Sequence, residues 1–174
     1  QRQYPKVSFA PVLKSNGYGH GLVPIAQILD KANIAFFVVD SLFEAMILRN
    51  EGIKSKILVI GYTSAANINN SKLSDVAFAI TSLEHLQSVA RDIDKLKKFH
   101  LKIDTGMNRQ GILQSQIADA IEIIQGNKLL EPEGVCSHLA DADSENASFT
   151  KLQIDRWQEI VKIFKDNFTD IKYY

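Results

Sequence analysis

A single cysteine, Cys136, in 174 residues has no internal disulfide partner, and its setting in "GVCSHLA" suits a reducing compartment. An excess of charge of one sign is also lacking, because 20 Lys and Arg are matched by 20 Asp and Glu. No global field therefore draws nucleic acid or an anionic membrane, and any anion site has to be local. No apolar run approaches the roughly 20 residues that cross a bilayer, and the N-terminus has no apolar signal-peptide core. These absences predict a cytoplasmic protein without membrane or nucleic-acid partners. Disorder is excluded by the 45% hydrophobic content, in a chain long enough for one domain with a real core. The chain opens "QRQYPKVSFA", without an initiator methionine, and stops at "DIKYY", without a polar tail. The expectation is a chain cut at both ends.

What is present is an alternation. Six short runs, at 7–13, 34–39, 56–60, 76–80, 100–103 and 133–139, are mostly apolar on both faces, as strands covered on both sides are. Between them, "LVPIAQILDKA", "SLFEAMILRNEG", "TSLEHLQSVARDIDKL", "QSQIADAIEIIQGN" and "SFTKLQIDRWQEIVKIFKDN" carry apolar residues at spacings of three and four, the amphipathic helical pattern. Ser41, and Thr81 or Ser82 with Glu84 behind, mark helix starts; Gly52 and Gly126 mark ends. The class is α/β with a parallel sheet. An open doubly wound sheet and a closed (β/α)8 barrel share this rhythm, and both gather chemistry at the C-terminal ends of their strands. Those positions hold Lys14, Asp40, Gly61 with Tyr62, Thr81, Asp104 and His138.

The run "VLKSNGYGHG" ends in a lysine followed by alternating glycines. Gly17, Gly19 and Gly21 could cradle a phosphate, and Asp40 stands where a dinucleotide fold places its ribose-binding acid. Against this, the third glycine is displaced, and a pyrophosphate turn has no need of Lys14. Lys14 reads either as a strand-end lysine reaching solvent or as an amine set among strand ends to attack a carbonyl. Tyr18 and His20 have structural readings beside functional ones. In "HLKIDTGMNRQGI", His100, Lys102 and Asp104 share one strand face. Buried there, Lys102 has to be paired, modified or outside the core. Gly106 and Gly111 flank Arg109, whose guanidinium suits a phenolate or carboxylate. In "GVCSHLADAD", His138 ends a strand, and Asp141 with Asp143 reads first as a solvated loop. No metal-ligand spacing such as HExxH occurs, so no metal is expected.

These three clusters, in this order, resemble the N-terminal barrel of the pyridoxal-phosphate-dependent alanine racemases. That family opens with approximately V-V-K-A-D-A-Y-G-H-G against "VLKSNGYGHG" here; its L-K-x-D-T-G-M-x-R-x-G is similar to "LKIDTGMNRQG", and its H-F-A-x-A-D to "HLADAD". "VVDSLFEAMILRNEGI" resembles the second βα unit. Ser15, Asn16, Gly17 and Leu139 depart from the family pattern without removing a reactive group.

The resemblance implies a partial (β/α)8 TIM-type barrel over 1–174, of about six βα units, with the family's C-terminal β domain absent. It implies pyridoxal 5'-phosphate as cofactor, with Lys14 as its Schiff-base anchor and as the acid or base on one face of the substrate Cα. It also implies Tyr18 at the phosphate, Arg109 at the phenolic oxygen, His138 near the pyridine ring, and Lys102 as a carbamylated lysine that positions Arg109. Racemisation needs a second acid–base group on the opposite face, which the family draws from the partner subunit of a homodimer. The implied function is interconversion of L- and D-alanine for peptidoglycan, with a small amino acid as substrate and little or no activity in the 174-residue chain alone. A non-catalytic cofactor-binding barrel, a racemase of another amino acid and a nucleotide-binding domain are the competing readings.

Overall fold

A computed structural model describes residues 7–32 and 34–174. The chain divides into two compact units, one of residues up to Thr63 with Asn70–Ala79, the other of Ser64–Asn69 with Ile80–Tyr174.

In the first unit, β1 (Phe37–Val39), β2 (Ile57–Val59) and β3 (Val76–Ile80) are parallel, with Phe37 opposite Ile57 and Ile57 opposite Val76. Their side chains are buried on both faces, which is why the sequence shows continuous apolar runs rather than alternation. Val38, Leu58 and Ala77 pack together on one face, joined by Ala10, Phe36 and Ile60. Residues 7–13 lie beside β1: Leu13 N–H donates to the Val38 carbonyl at 2.7 Å and Val38 N–H to the Pro11 carbonyl at 2.9 Å. This run, expected as a full strand, makes only an isolated bridge, Val12 to Val38. Each strand is laid beside its predecessor, the order a barrel uses.

Two of the unit's helices are α2 (Leu22–Leu29) and α3 (Leu42–Asn50), the latter opened by a capping box in which Glu44 N–H donates to Ser41 Oγ and Ser41 N–H donates back to Glu44. Arg49, near the end of α3, donates to the carbonyls of Ile53, Ser74 and Asp75 and so ties that helix to the loop before β3.

The second unit contains α4 (Ala65–Asn70), α5 (Leu83–Asp92), β4 (Lys97–Lys102), α6 (Ile117–Gly126), β5 (Leu130–Cys136) and α7 (Ser148–Asn167). The cap of α5 is Ser82, not Thr81. Gly126 is the last helical residue of α6 rather than a left-handed residue beyond it. Helix α6 buries Ile117, Ala120, Ile121 and Ile124, the stripe its spacing predicts. Strands β4 and β5 are parallel and in register from Lys97–Leu130 to Lys102–Cys136, broken once where Phe99 faces Pro132 and His100 faces Gly134. Glu133 is the extra residue of this bulge, and its carbonyl receives Lys172 N–H at 2.9 Å. Only glycine fits opposite: a Cβ on Gly134 would stand 2.5 Å from His100 Nδ1.

The expected runs 34–39 and 56–60 shorten to three-residue strands, while β4 begins three residues before its expected start, and β5 starts and ends three residues early. Among the described residues no helix is long and apolar enough to cross a membrane.

Candidate active site

Lys14 follows the buried Leu13 and is itself half-buried. It begins α1 (Lys14–Tyr18), a helical turn of inverted hand: Ser15, Asn16 and Gly17 have φ/ψ of 55/49, 56/41 and 60/36, and Tyr18 has φ 53. For an L-residue the left-handed conformation costs roughly 1–2 kcal/mol, least for Asn and Gly. Such strain persists only where the surroundings over-determine it, and it gathers at functional positions.

The surroundings here can be named. Gly17 N–H donates to the Leu13 carbonyl at 2.8 Å and Gly21 N–H to the Asn16 carbonyl at 2.9 Å. Asn16 Oδ1 accepts from Leu22 N–H at 2.9 Å, at the start of α2. Ser15 N–H donates to Glu44 Oε1 at 2.9 Å, and Asp40 N–H, at the end of β1, donates to Glu44 Oε2 at 2.7 Å. The glycines thus serve the hand of the turn. Tyr18 is 63% exposed, and His20 and Asp40 are exposed.

In the second unit Lys102 ends β4 opposite Cys136 and is half-buried. Burial holds the Cys136 thiol up at about 11, with Lys102 pulling the other way. Two residues back on the same strand face, the His100 ring stacks on Tyr173 at 5.7 Å, and its Nε2 lies 3.9 Å from Glu133 Oε2, both side chains almost fully buried. This face of β4, with His100 and Lys102 on it, is polar.

After β4 the chain makes a tight excursion through residues 104–111. Asp104 Oδ1 accepts from Gly106 N–H (2.7 Å) and Asn108 N–H (3.2 Å), while Gly111 N–H donates to the Thr81 carbonyl and Ile112 N–H to the Lys102 carbonyl, both at 2.8 Å. Gly111 has φ 138, and a Cβ there would stand 2.5 Å from Asp104 N, so the turn closes only on glycine. Arg109 is carried exposed on this excursion.

His138 lies two residues past β5, also exposed. Its loop and the Asp104 turn are joined through α7. Gln153, fully buried, donates from Nε2 to Thr105 Oγ1 (3.1 Å) and to the His138 carbonyl (3.1 Å), and its Oε1 accepts from Ala140 N–H (2.8 Å). Thr105 Oγ1 lies 2.9 Å from Ser137 Oγ, which donates to the Ile103 carbonyl, and Arg156 donates to the Thr105 carbonyl at 3.0 Å. The motifs carrying Arg109 and His138 are thus held by one network. Asp141 and Asp143 are exposed, and among the described residues no group of three His, Cys, Asp or Glu side chains could hold a metal ion.

Sequence reasoning missed Glu44 and Gln153. Glu44 is legible as the fourth member of an S-x-x-E capping box. Gln153 is legible as a polar residue on the face of α7 that otherwise buries Ile160 and Phe164.

A family model described as "Alanine racemase, N-terminal domain" matches residues 1–174. Among curated proteins, the alanine racemase of Carboxydothermus hydrogenoformans is 36% identical over 166 residues, 94% of this chain and 45% of that protein. The alanine racemase of Methanococcus maripaludis is 33% identical over 171 residues, 96% and 46% respectively. Among solved structures, the alanine racemase of Clostridium difficile 630 superposes with a TM-score of 0.85 at 27% identity, covering 96% of this chain and 47% of that one. That of Bacillus anthracis, described with bound L-Ala-P, gives 0.84 at 31% identity, covering 95% and 43%. The chain therefore spans under half the length of these relatives. Its fold is theirs over that span: α/β, of the TIM-type barrel class.

Proposed function

Since this chain belongs to the alanine racemase N-terminal domain family, we propose that it is the cofactor-carrying part of an alanine racemase, an isomerase interconverting L- and D-alanine. The family match is supported by one local observation above all: the lysine of the opening motif stands at the head of a strained left-handed turn held by side-chain and backbone hydrogen bonds.

The donor chemistry present fits pyridoxal phosphate, with a primary amine for its aldehyde, a phenol for its phosphate and a guanidinium for its phenolic oxygen. When bound, pyridoxal phosphate supplies an electron sink that makes the substrate's Cα–H acidic. Lys14 would hold it covalently through Nζ, and the same amine, once released, would take or return the Cα proton on one face. Tyr18 would hold the phosphate, Arg109 the phenolic oxygen, and His138 would lie beside the pyridine ring. Lys102, carbamylated, would become an anion that orients Arg109.

A second acid–base group is required on the opposite face. We assign it to the partner subunit of a homodimer. D-alanine made in the cytoplasm would supply peptidoglycan.

The test is chemical. The protein is mixed with pyridoxal phosphate, reduced with borohydride, and its peptides are weighed. Label confined to Lys14, and lost in Lys14→Ala, supports the reading; label scattered over exposed lysines refutes it. Conversion of L- to D-alanine is then followed in the same preparation, where little or no turnover is expected of the 174-residue chain alone.

A further inference from the structure

We infer that Glu44 is a positioning residue for Lys14, acting through the backbone of Ser15; this rests on the reading of Lys14 given above. Glu44 carries three N–H groups on one carboxylate. Oε2 receives Asp40 N–H at 2.7 Å and Ser41 N–H at 3.3 Å, which fixes the end of β1 to the first turn of α3. Oε1 receives Ser15 N–H at 2.9 Å. The first pair is the ordinary work of a capping box. The third bond is not, because Ser15 lies 29 residues away in sequence and directly follows Lys14.

Ser15 is also the first residue of the left-handed run, at φ 55. Serine has little tolerance for that conformation, whereas Asn16 and Gly17 after it have more. The hydrogen bond to Glu44 is therefore donated by a strained residue of the turn, and it is charge-assisted, the stronger kind. With it in place the peptide linking Lys14 to Ser15 has one orientation, and Lys14 leaves the strand end in one direction. Without it, Ser15 is free to return to an extended or right-handed conformation and carry the lysine with it.

An amide cannot replace the carboxylate. The side chain introduced by Glu44→Gln presents one oxygen and one NH2, and the NH2 faces at least one of the three N–H donors. Either the cap or the Ser15 bond is then lost. Ser41 provides the control: Ser41→Ala removes the Oγ that accepts Glu44 N–H at 3.2 Å and weakens α3 without touching the bond to Ser15.

The experiment compares the unaltered protein with Glu44→Ala, Glu44→Gln and Ser41→Ala by two readouts. The first is exchange of the Ser15 amide proton without cofactor. The second is the rate at which pyridoxal phosphate and borohydride label Lys14 relative to other lysines. The expected result is loss of Ser15 amide protection in Glu44→Ala with a fall in Lys14 labelling of roughly tenfold, about what a hydrogen bond to a charged group is worth, while in Glu44→Gln the two readouts move together, labelling falling only to the extent that Ser15 protection is lost. Ser41→Ala, with a similar loss of thermal stability, keeps both. Unchanged labelling in Glu44→Ala, or an equal fall in Ser41→Ala, overturns the assignment while leaving Lys14 as the anchor. Failure of the unaltered protein to label at Lys14 removes the functional reading, and this assignment with it.

Discussion

Replacing Gln153 by leucine isolates what the buried amide does, because the side-chain volume is nearly kept and no large cavity opens. Three hydrogen bonds disappear: those to Thr105 Oγ1, to the His138 carbonyl and from Ala140 N–H. A neutral hydrogen bond contributes about 0.5–1.5 kcal/mol net, and a buried group left unpaired costs more. Thr105 Oγ1 keeps Ser137, at 2.9 Å, and the loop at His138 and Ala140 is exposed and can turn to water. The loss therefore falls in the lower half of the sum, about 1.5–3 kcal/mol. For a chain of this size each kcal/mol moves the melting temperature by about 2–4 °C, so Gln153→Leu melts about 3–12 °C lower. Gln153→Glu sharpens the test. A carboxylate can still accept from Ala140 but cannot donate, and burial disfavours its charged form. Its deficit relative to leucine is greatest at neutral pH and shrinks as the pH falls and the carboxyl takes up a proton. Thermal melts followed by circular dichroism, with exchange of the Ala140 amide as a local probe, decide the matter. A melting temperature for Gln153→Leu within about 1 °C of the unaltered protein, with the Ala140 amide still protected, would refute the reasoning.

Two further outcomes follow from the titrating groups. Burial pushes the Asp30 carboxyl up, but hydrogen bonds from Ser55 and Lys54 outweigh it and hold the group below its ordinary range. Its stabilisation is then present above the unfolded carboxyl's value and is lost as pH falls through the lower folded one, so the stability gap to Asp30→Asn, measured by urea unfolding, closes below about pH 4; a gap constant from neutral to acid pH contradicts this. The Cys136 thiol, held up at about 11, alkylates with iodoacetamide about a hundredfold more slowly at pH 8 than it does in urea. Equal rates in the two conditions would show that burial does not set its reactivity.

Much of the architecture was legible because strands and helices are written locally. Val76–Ile80 and Ser148–Asn167 end where their apolar patterns end. The boundaries that moved did so for reasons outside the local pattern. Residues 7–13 are as apolar as a strand, yet ladder geometry is a property of a pair, and only Val12 forms a bridge with β1. Helix α4, with three asparagines in six residues, was not expected from propensity; Ala65 and Ile68 hold it by burial. The bulge at Glu133 has no signature in β5 alone beyond Pro132, because it arises from fitting one strand against another.

The sequence by itself determined the α/β order, the apolar stripes and the three motifs at strand ends, since each depends on residues within a few positions of one another. It also carried the candidate site residues themselves: Lys14, Tyr18, Lys102, Arg109 and His138. Only the tertiary structure decided how those groups are held. The hand of the turn after Lys14 depends on a carboxylate 29 residues away, and the tie between the Asp104 turn and the His138 loop on an amide 48 residues from Thr105. Hydrogen bonds at that separation follow from how the chain is folded back on itself, and no periodicity or local propensity records them.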